Sequence, residues 1–352
     1  MKPPIYTGTW GKCHIQGIAV DEQKGYIYYS FTTKLVKSTL DGQIVGYVDG
    51  LMGHLGCIAF NPDDGRVYGS LEYKNDAIGK GILNNLGSSE QLEDAFYIAI
   101  FDVDKIDRPD MDAEKDGIMT SVYLQEAVKD YTGTGVDRQG NVVPHRYGCS
   151  GIDGTTFGPM FGAPEDSKKY LFVCYGVYGD VTRDDNDHQI MLCYDTSDWA
   201  KYERPLSQTS MHREGPEEPT EKFFLFTGNT RYGVQNLEYD PYTRAYFMAV
   251  YYGKKEKYPN YHLYAVDAKV APTVRKLQGL DEEGKVVSLL QLGKTHPETG
   301  IRGWNFAHGA TGLHACGDGR YYISENHVSQ SGQCGVIYRY VWNGVCPFVL
   351  ED

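Results

Sequence analysis

The chain lacks the features that define several large protein classes. No stretch approaches the ~18 consecutive apolar residues of a membrane-spanning helix, and the leading MKPPIYTGTWGK has no apolar signal-peptide core, so a cytoplasmic location is expected. There is no G-x-x-x-x-G-K-[ST] loop, no H-E-x-x-H and no G-x-S-x-G. Kinases, and dehydrogenases and serine hydrolases of the usual folds, are excluded. Positive charge is scarce: 34 Lys and Arg stand against 47 Asp and Glu, a net charge of -13. A phosphate backbone needs a basic face, so nucleic acid is not an expected partner, nor is a membrane. The eight cysteines include no C-x-x-C, and neither a disulfide framework nor a thiolate zinc site is expected.

What the chain does have is a repeat. WGKCHIQGIAVDEQKGYIYYSF (10–31) and GHLGCIAFNPDDGRVYGSLE (53–72) share His, a small residue, an apolar pair, a Gly turn and a Tyr-rich alternating run. Three further copies are YGCSGIDGTTFGP (147–159), YGVQNLEYDPYTRAYFMAVYYG from Tyr232 and HGATGLHACGDGRYYISEN from His308. The small residue before Ile or Leu serves as an anchor: Gly17, Cys57, Gly151, Asn236 and Gly312, at spacings of 40, 94, 85 and 76. Each anchor is followed by three more short runs of β-type alternation, giving about twenty strands, the number expected of five four-stranded propeller blades. The predicted fold is all-β, one five-bladed β-propeller over 1–352, with blades at approximately 13–52, 53–145, 146–230, 231–306 and 307–352. Residues 75–94, 107–117, 126–144 and 203–221 read as polar loops, the Gly-rich run near 79–87 as turns, and 126–144 as a candidate lid.

An apolar GI-x-x-D strand, a Gly turn and a hYhS strand together resemble the blades of the NHL and gluconolactonase-like propellers. The resemblance covers nearly the whole chain at the level of fold and implies no single activity, since propellers host many. A gluconolactonase-like calcium set would fall on Gln16, Gly56, Ser150, Gln235 and Thr311, where Gly56 offers no ligand.

In an antiparallel blade, the loop leading into the first strand and the loop leaving the second lie at the same end of the propeller. Ten loops should therefore ring one mouth. Six of the ten His fall in them. The candidate catalytic groups are His14, His54, His308, Tyr147, Tyr232, Glu72 and Glu325, with His, Tyr or a carboxylate pair as acid and base. Arg146, Arg231, His145, Lys74, Trp304, Asn305, Tyr175, Tyr251, Asn326 and His327 are candidate substrate contacts, the two arginines gripping a carboxylate. His14, His54 and His308 with Gln16 and Gln235 are candidate ligands of one divalent ion, a transition metal or calcium. The expected function is a carbohydrate-active enzyme, a lyase or glycoside hydrolase, taking a small molecule or glycan at the mouth. The alternatives are a noncatalytic glycan- or peptide-binding propeller and a gluconolactonase-like hydrolase.

Overall fold

Residues alternating between two faces make each Tyr- and Val-rich run a strand that serves both neighbouring blades. The structure, a computed structural model describing residues 3–90 and 92–352, arranges these strands as five mostly antiparallel blades around a channel. The innermost strands are Ile15–Asp21, His54–Asn61, Cys149–Pro159, Thr230–Asp240 and Leu313–Ala315. Each pairs antiparallel with the next strand of its repeat.

Four of these inner strands shift register beside the anchor: between Ile15 and Gly17, Leu55 and Ile58, Cys149 and Gly151, and twice between Arg231 and Asn236. A bulge re-aims side chains and bends the strand. The anchors are small because the inner strands converge there. The Asn236 amide reaches from blade 4 to the carbonyl of Gln16 at 2.8 Å and of Ala310 at 3.0 Å.

The core is five apolar clusters, one between each pair of neighbouring blades. Tyr28 and Leu35 meet Tyr97 and Phe101, Ile98 meets Val173 and Ile190, and Phe172 and Met191 meet Tyr246 and Met248. Phe247 and Leu263 meet Tyr321 and Ile323, and Tyr322 and Ile337 return to Ile18 and Tyr29. Each fully buried side chain of this size contributes about 1.5–3 kcal/mol. The last cluster closes the ring. Both ends of the chain also cover the edge of blade 5: Ile5–Thr9 and Phe348–Leu350 each pair with Gly332–Trp342, leaving no long open strand there.

The structure corrects three details. Blade 4 has three strands in its sheet, because the run expected as its fourth is divided between sheets. Glu283–Val286 pairs parallel with Glu221–Phe226 of blade 3, and Leu289 makes a single bridge to Val266. The reason is apolar residues in succession: Val286 fills one inter-blade cluster and Val287 the next. The run near 79–87 is not a set of turns but helix α1, Ala77–Leu86, capped by the Asp76 carboxylate on the N–H groups of Ile78 and Gly79 and ended by left-handed Gly87. The 126–144 segment is helix α2, Gln125–Thr132, and a small hairpin, Thr134–Val136 with Val142–Pro144. Among the described residues no helix is long and apolar enough to cross a membrane.

Candidate functional site

The bulges turn the leading ends of blades 1 to 4 into one cavity of about 340 Å3, roofed on one side by α1. His14 and Gln16 come from blade 1, His54, Glu72 and Lys74 from blade 2, Asp153 from blade 3, and Tyr232, Gln235 and Tyr251 from blade 4.

Two glycines make room for its carboxyl groups. A Cβ on Gly151 would lie 1.9 Å from Glu72 Oε2, and one on Gly56 would lie 2.1 Å from Asp153 Oδ1. Any side chain at either position would displace a carboxyl group, which is why Gly56, a poor candidate as a ligand, matters to the site. Glu72 Oε2 accepts from the Ile152 N–H at 3.0 Å and Asp153 Oδ1 from the Cys57 N–H at 3.3 Å.

The two carboxyl groups differ in their partners. Glu72 Oε1 lies 2.5 Å from Lys74 Nζ, which also donates to the Ser150 carbonyl at 2.8 Å and lies 3.8 Å from Asp76. Burial works against the Lys74 ammonium, but Glu72 and Asp76 beside it hold its pKa above the usual lysine value. Burial likewise pushes the Glu72 carboxyl up while Lys74 draws it back. With a cation at hydrogen-bond distance the pair is an ammonium and a carboxylate. Asp153 makes no ion pair among the described residues: Lys74 acts on it only at longer range, and its partners are the Cys57 N–H and the Gln235 side chain. Burial, and next the Glu72 charge, raise its pKa well above the ordinary carboxylate value against the opposing pull of Lys74, the Cys57 N–H and Gln235, and so favour its protonated form.

The imidazoles are neutral. Burial lowers His14, and burial with the Lys74 charge lowers His54 to about 3. His54 Nδ1 is buried, makes no hydrogen bond and lies 3.5 Å from Glu72 Oε1. Burial raises the Tyr251 hydroxyl to about 12.

The remaining sequence candidates lie outside the cavity. Arg146 pairs with Glu282 at 2.6 Å and covers the ring of buried Tyr147. Arg231 is exposed over Tyr232. His145 bonds the Tyr131 carbonyl at 2.6 Å, and buried Tyr175 donates to Asp130 at 2.9 Å. Trp304 is buried between blades 4 and 5, and Asn305 is exposed. His308 and His327 flank Glu325 at 3.3 and 3.7 Å, while Asn326 accepts from the Ile15 N–H. No blade 5 residue lines the cavity, and the inner strand of that blade has three residues and carries none of the register shifts of the other four. The candidate lid of 126–144 is likewise absent from the cavity wall, and α1 takes that place.

His14, His54, Gln16 and Gln235 line the cavity and His308 does not. The Gln16 amide N–H is given to Thr32 and that of Gln235 to the Tyr232 carbonyl, and the cation beside Glu72 is Lys74. Among the described residues no three His, Cys, Asp or Glu side chains converge as a metal-ligand group.

The fold and cavity together define a five-bladed β-propeller with a walled pocket at one mouth. No protein-family model matches the chain, and no curated protein matches it. Solved structures similar to it include a family GH43 β-1,3-galactosidase with galactodeoxynojirimycin, at 10% identity, 99% of each chain covered and a TM-score of 0.46. A gluconolactonase from Xanthomonas campestris is 8% identical, with 100% of this chain and 85% of that one covered and a TM-score of 0.39. The pyranose dehydrogenase PQQ domain from Coprinopsis cinerea is 12% identical, with 91% and 81% covered and a TM-score of 0.37. Likenesses this distant assign no chemistry to the cavity.

Proposed function

We propose that the protein is a hydrolase of a small carbohydrate-type substrate, with Asp153 as the acid and Glu72 as the base or nucleophile. The observation that carries this reading is two carboxyl groups in one pocket whose surroundings set them apart, Glu72 in an ion pair with Lys74 and Asp153 buried with no ion pair among the described residues. Such a pair is the working requirement of glycosidic bond cleavage: a carboxylic acid protonates the leaving oxygen while a carboxylate activates water or attacks carbon. Asp153 supplies the proton. Glu72, its lone pairs oriented by Lys74 and the Ile152 N–H, supplies the negative charge. Lys74 acts through Glu72 and is a positioning residue. Neutral His14 and His54 offer acceptors to substrate hydroxyls, and Tyr232 and Tyr251 offer ring edges and hydroxyl groups. The hydrolase reading is preferred to uronate elimination because the two arginines that would grip a carboxylate stand away from the pocket.

The test is a turnover screen of aryl and alkyl glycosides and of sugar lactones with the wild-type protein and Asp153→Asn. A substrate cleaved by the wild type and at least about a hundredfold more slowly by the variant is expected, the usual contribution of general acid catalysis. Binding of sugars without any turnover would make the propeller a glycan-binding protein instead.

A further inference from the structure

We propose that α1 makes the cavity selective for ligands that carry a small apolar group beside their polar reacting centre, which for the hydrolase above means a glycoside with an alkyl or aryl aglycone. The inference rests on that reading for the identity of the polar part. The cavity has two chemically different sides. One carries His14, Gln16, His54, Glu72 and Asp153; on the other α1 presents Ala77, Ile78, Gly81 and Ile82, with the polar Asn85 one turn further on. The four before Asn85 fall on one face of the helix, at positions i, i+1, i+4 and i+5.

This side is built into the fold and does not swing freely. Leu83 on α1 anchors in the apolar cluster between blades 1 and 2. Asp76, which caps the helix, also accepts from the Tyr178 hydroxyl of blade 3 at 2.9 Å. The entry to the helix is tight: a Cβ at Gly79 would sit 1.8 Å from the carbonyl oxygen of Lys74, five residues earlier in the chain. Ile78 is nonetheless only partly buried, so a surface of aliphatic carbon remains bare inside a pocket whose other side is polar.

A ligand with hydroxyl groups on every face would set some of them against Ile78 and Ile82, where they would lose water and gain no partner. A ligand with one apolar substituent satisfies both sides. Gly81 marks where that substituent goes: a Cβ there would meet no atom within 4 Å, although the residue lines the cavity. The volume of about 340 Å3 is at the small end for ligand sites, enough for a ring and a short substituent.

The experiment measures binding by calorimetry for methyl, propyl, butyl and hexyl glycosides of glucose and galactose, with wild type, Gly81→Leu and Gly81→Ala. In the wild type each methylene from methyl to butyl should tighten binding about fourfold, the worth of one buried methylene. Gly81→Leu should abolish that gain and Gly81→Ala reduce it, with methyl glycoside affinity changed less than threefold. Both variants should melt at or above the wild-type temperature, since glycine is the weaker helix former. Equal affinity along the series, a gain that survives Gly81→Leu, or no binding of any glycoside overturns the proposal. A chain-length gain without turnover contradicts the hydrolase and leaves the apolar wall standing; turnover without the gain does the reverse.

Discussion

Two buried charge clusters, both near the mouth, use the same residue types for different ends. In the loops of blades 3 and 4, Arg183 holds Asp185 through two bonds of 2.8 Å, while Lys255 is bound by Asp187, by Asn186 and by a backbone carbonyl, and Tyr258 donates to Asp187 at 2.6 Å. None of these groups lines the cavity roofed by α1. At the cavity, Glu72 and Lys74 are paired, but among the described residues the Asp153 carboxyl makes no ion pair and His54 Nδ1 has no hydrogen bond. Satisfied charges with no open space around them fix loops. Charges left incomplete beside a cavity are poised for a ligand.

The largest expected effect separates the two clusters by rate. Glu72→Gln and Asp153→Asn should each lower turnover of a cleaved glycoside by about a hundredfold to ten-thousandfold, whereas Lys255→Met should leave turnover within about threefold; steady-state kinetics at matched folded fraction decides. Stability should sort them the opposite way. Lys255→Met leaves partly exposed Lys257, at 3.6 Å, as the cation beside the buried Asp187 charge and should cost up to about 3–5 kcal/mol in urea unfolding. Asp153→Asn should not destabilise. A carboxyl whose folded pKa is raised weakens the fold as pH climbs through the ordinary carboxylate range toward that raised value, and the amide removes this loss at pH 7.

A smaller effect is a pH slope. Burial holds His54 near 3, below the ordinary histidine value of 6.5, so its neutral form stabilises the fold fully above pH 6.5. That contribution is lost as pH falls from 6.5 toward 3, because the unfolded state takes up the proton first. His54→Gln should flatten the fall in melting temperature over this interval, and an unchanged slope would contradict the burial of His54. The smallest effect is expected on blade 5, where Glu325 lies between partly exposed His308 and His327. Glu325→Gln should change stability by less than about 0.5 kcal/mol, the usual size for such surface pairs. A large loss of turnover there would move the active centre toward blade 5.

The propeller was legible because its anchors and alternating strands are local signals repeated five times. Glu72 and Lys74 were legible too, as alternate residues at the end of a second strand. Asp153 was not. It follows an anchor on an inner strand, where strict alternation predicts a buried structural group, and only the register shifts between Cys149 and Gly151 and between Ile152 and Thr155 place it in the cavity wall. Sequence shows that a strand bulges only after its partner's register is known. Helix α1 left better traces: Asp76 before it, Gly87 after it, and Ile78 and Ile82 four apart. Its internal Gly79 and Gly81 concealed it, since glycine in a helix interior is unfavourable. His308 stands four residues before its anchor where His14 and His54 stand three before theirs, and it does not join them in the cavity wall.

The central claim, that the pocket splits its two carboxyl groups into an acid and a base, is tested most directly by carbon NMR of carboxyl-labelled Asp and Glu through a pH titration. Asp153→Asn and Glu72→Gln would assign the two signals. At pH 7 the Asp153 carboxyl should be protonated and the Glu72 carboxyl ionised. Finding both ionised at pH 7, or the proton on Glu72, would contradict it.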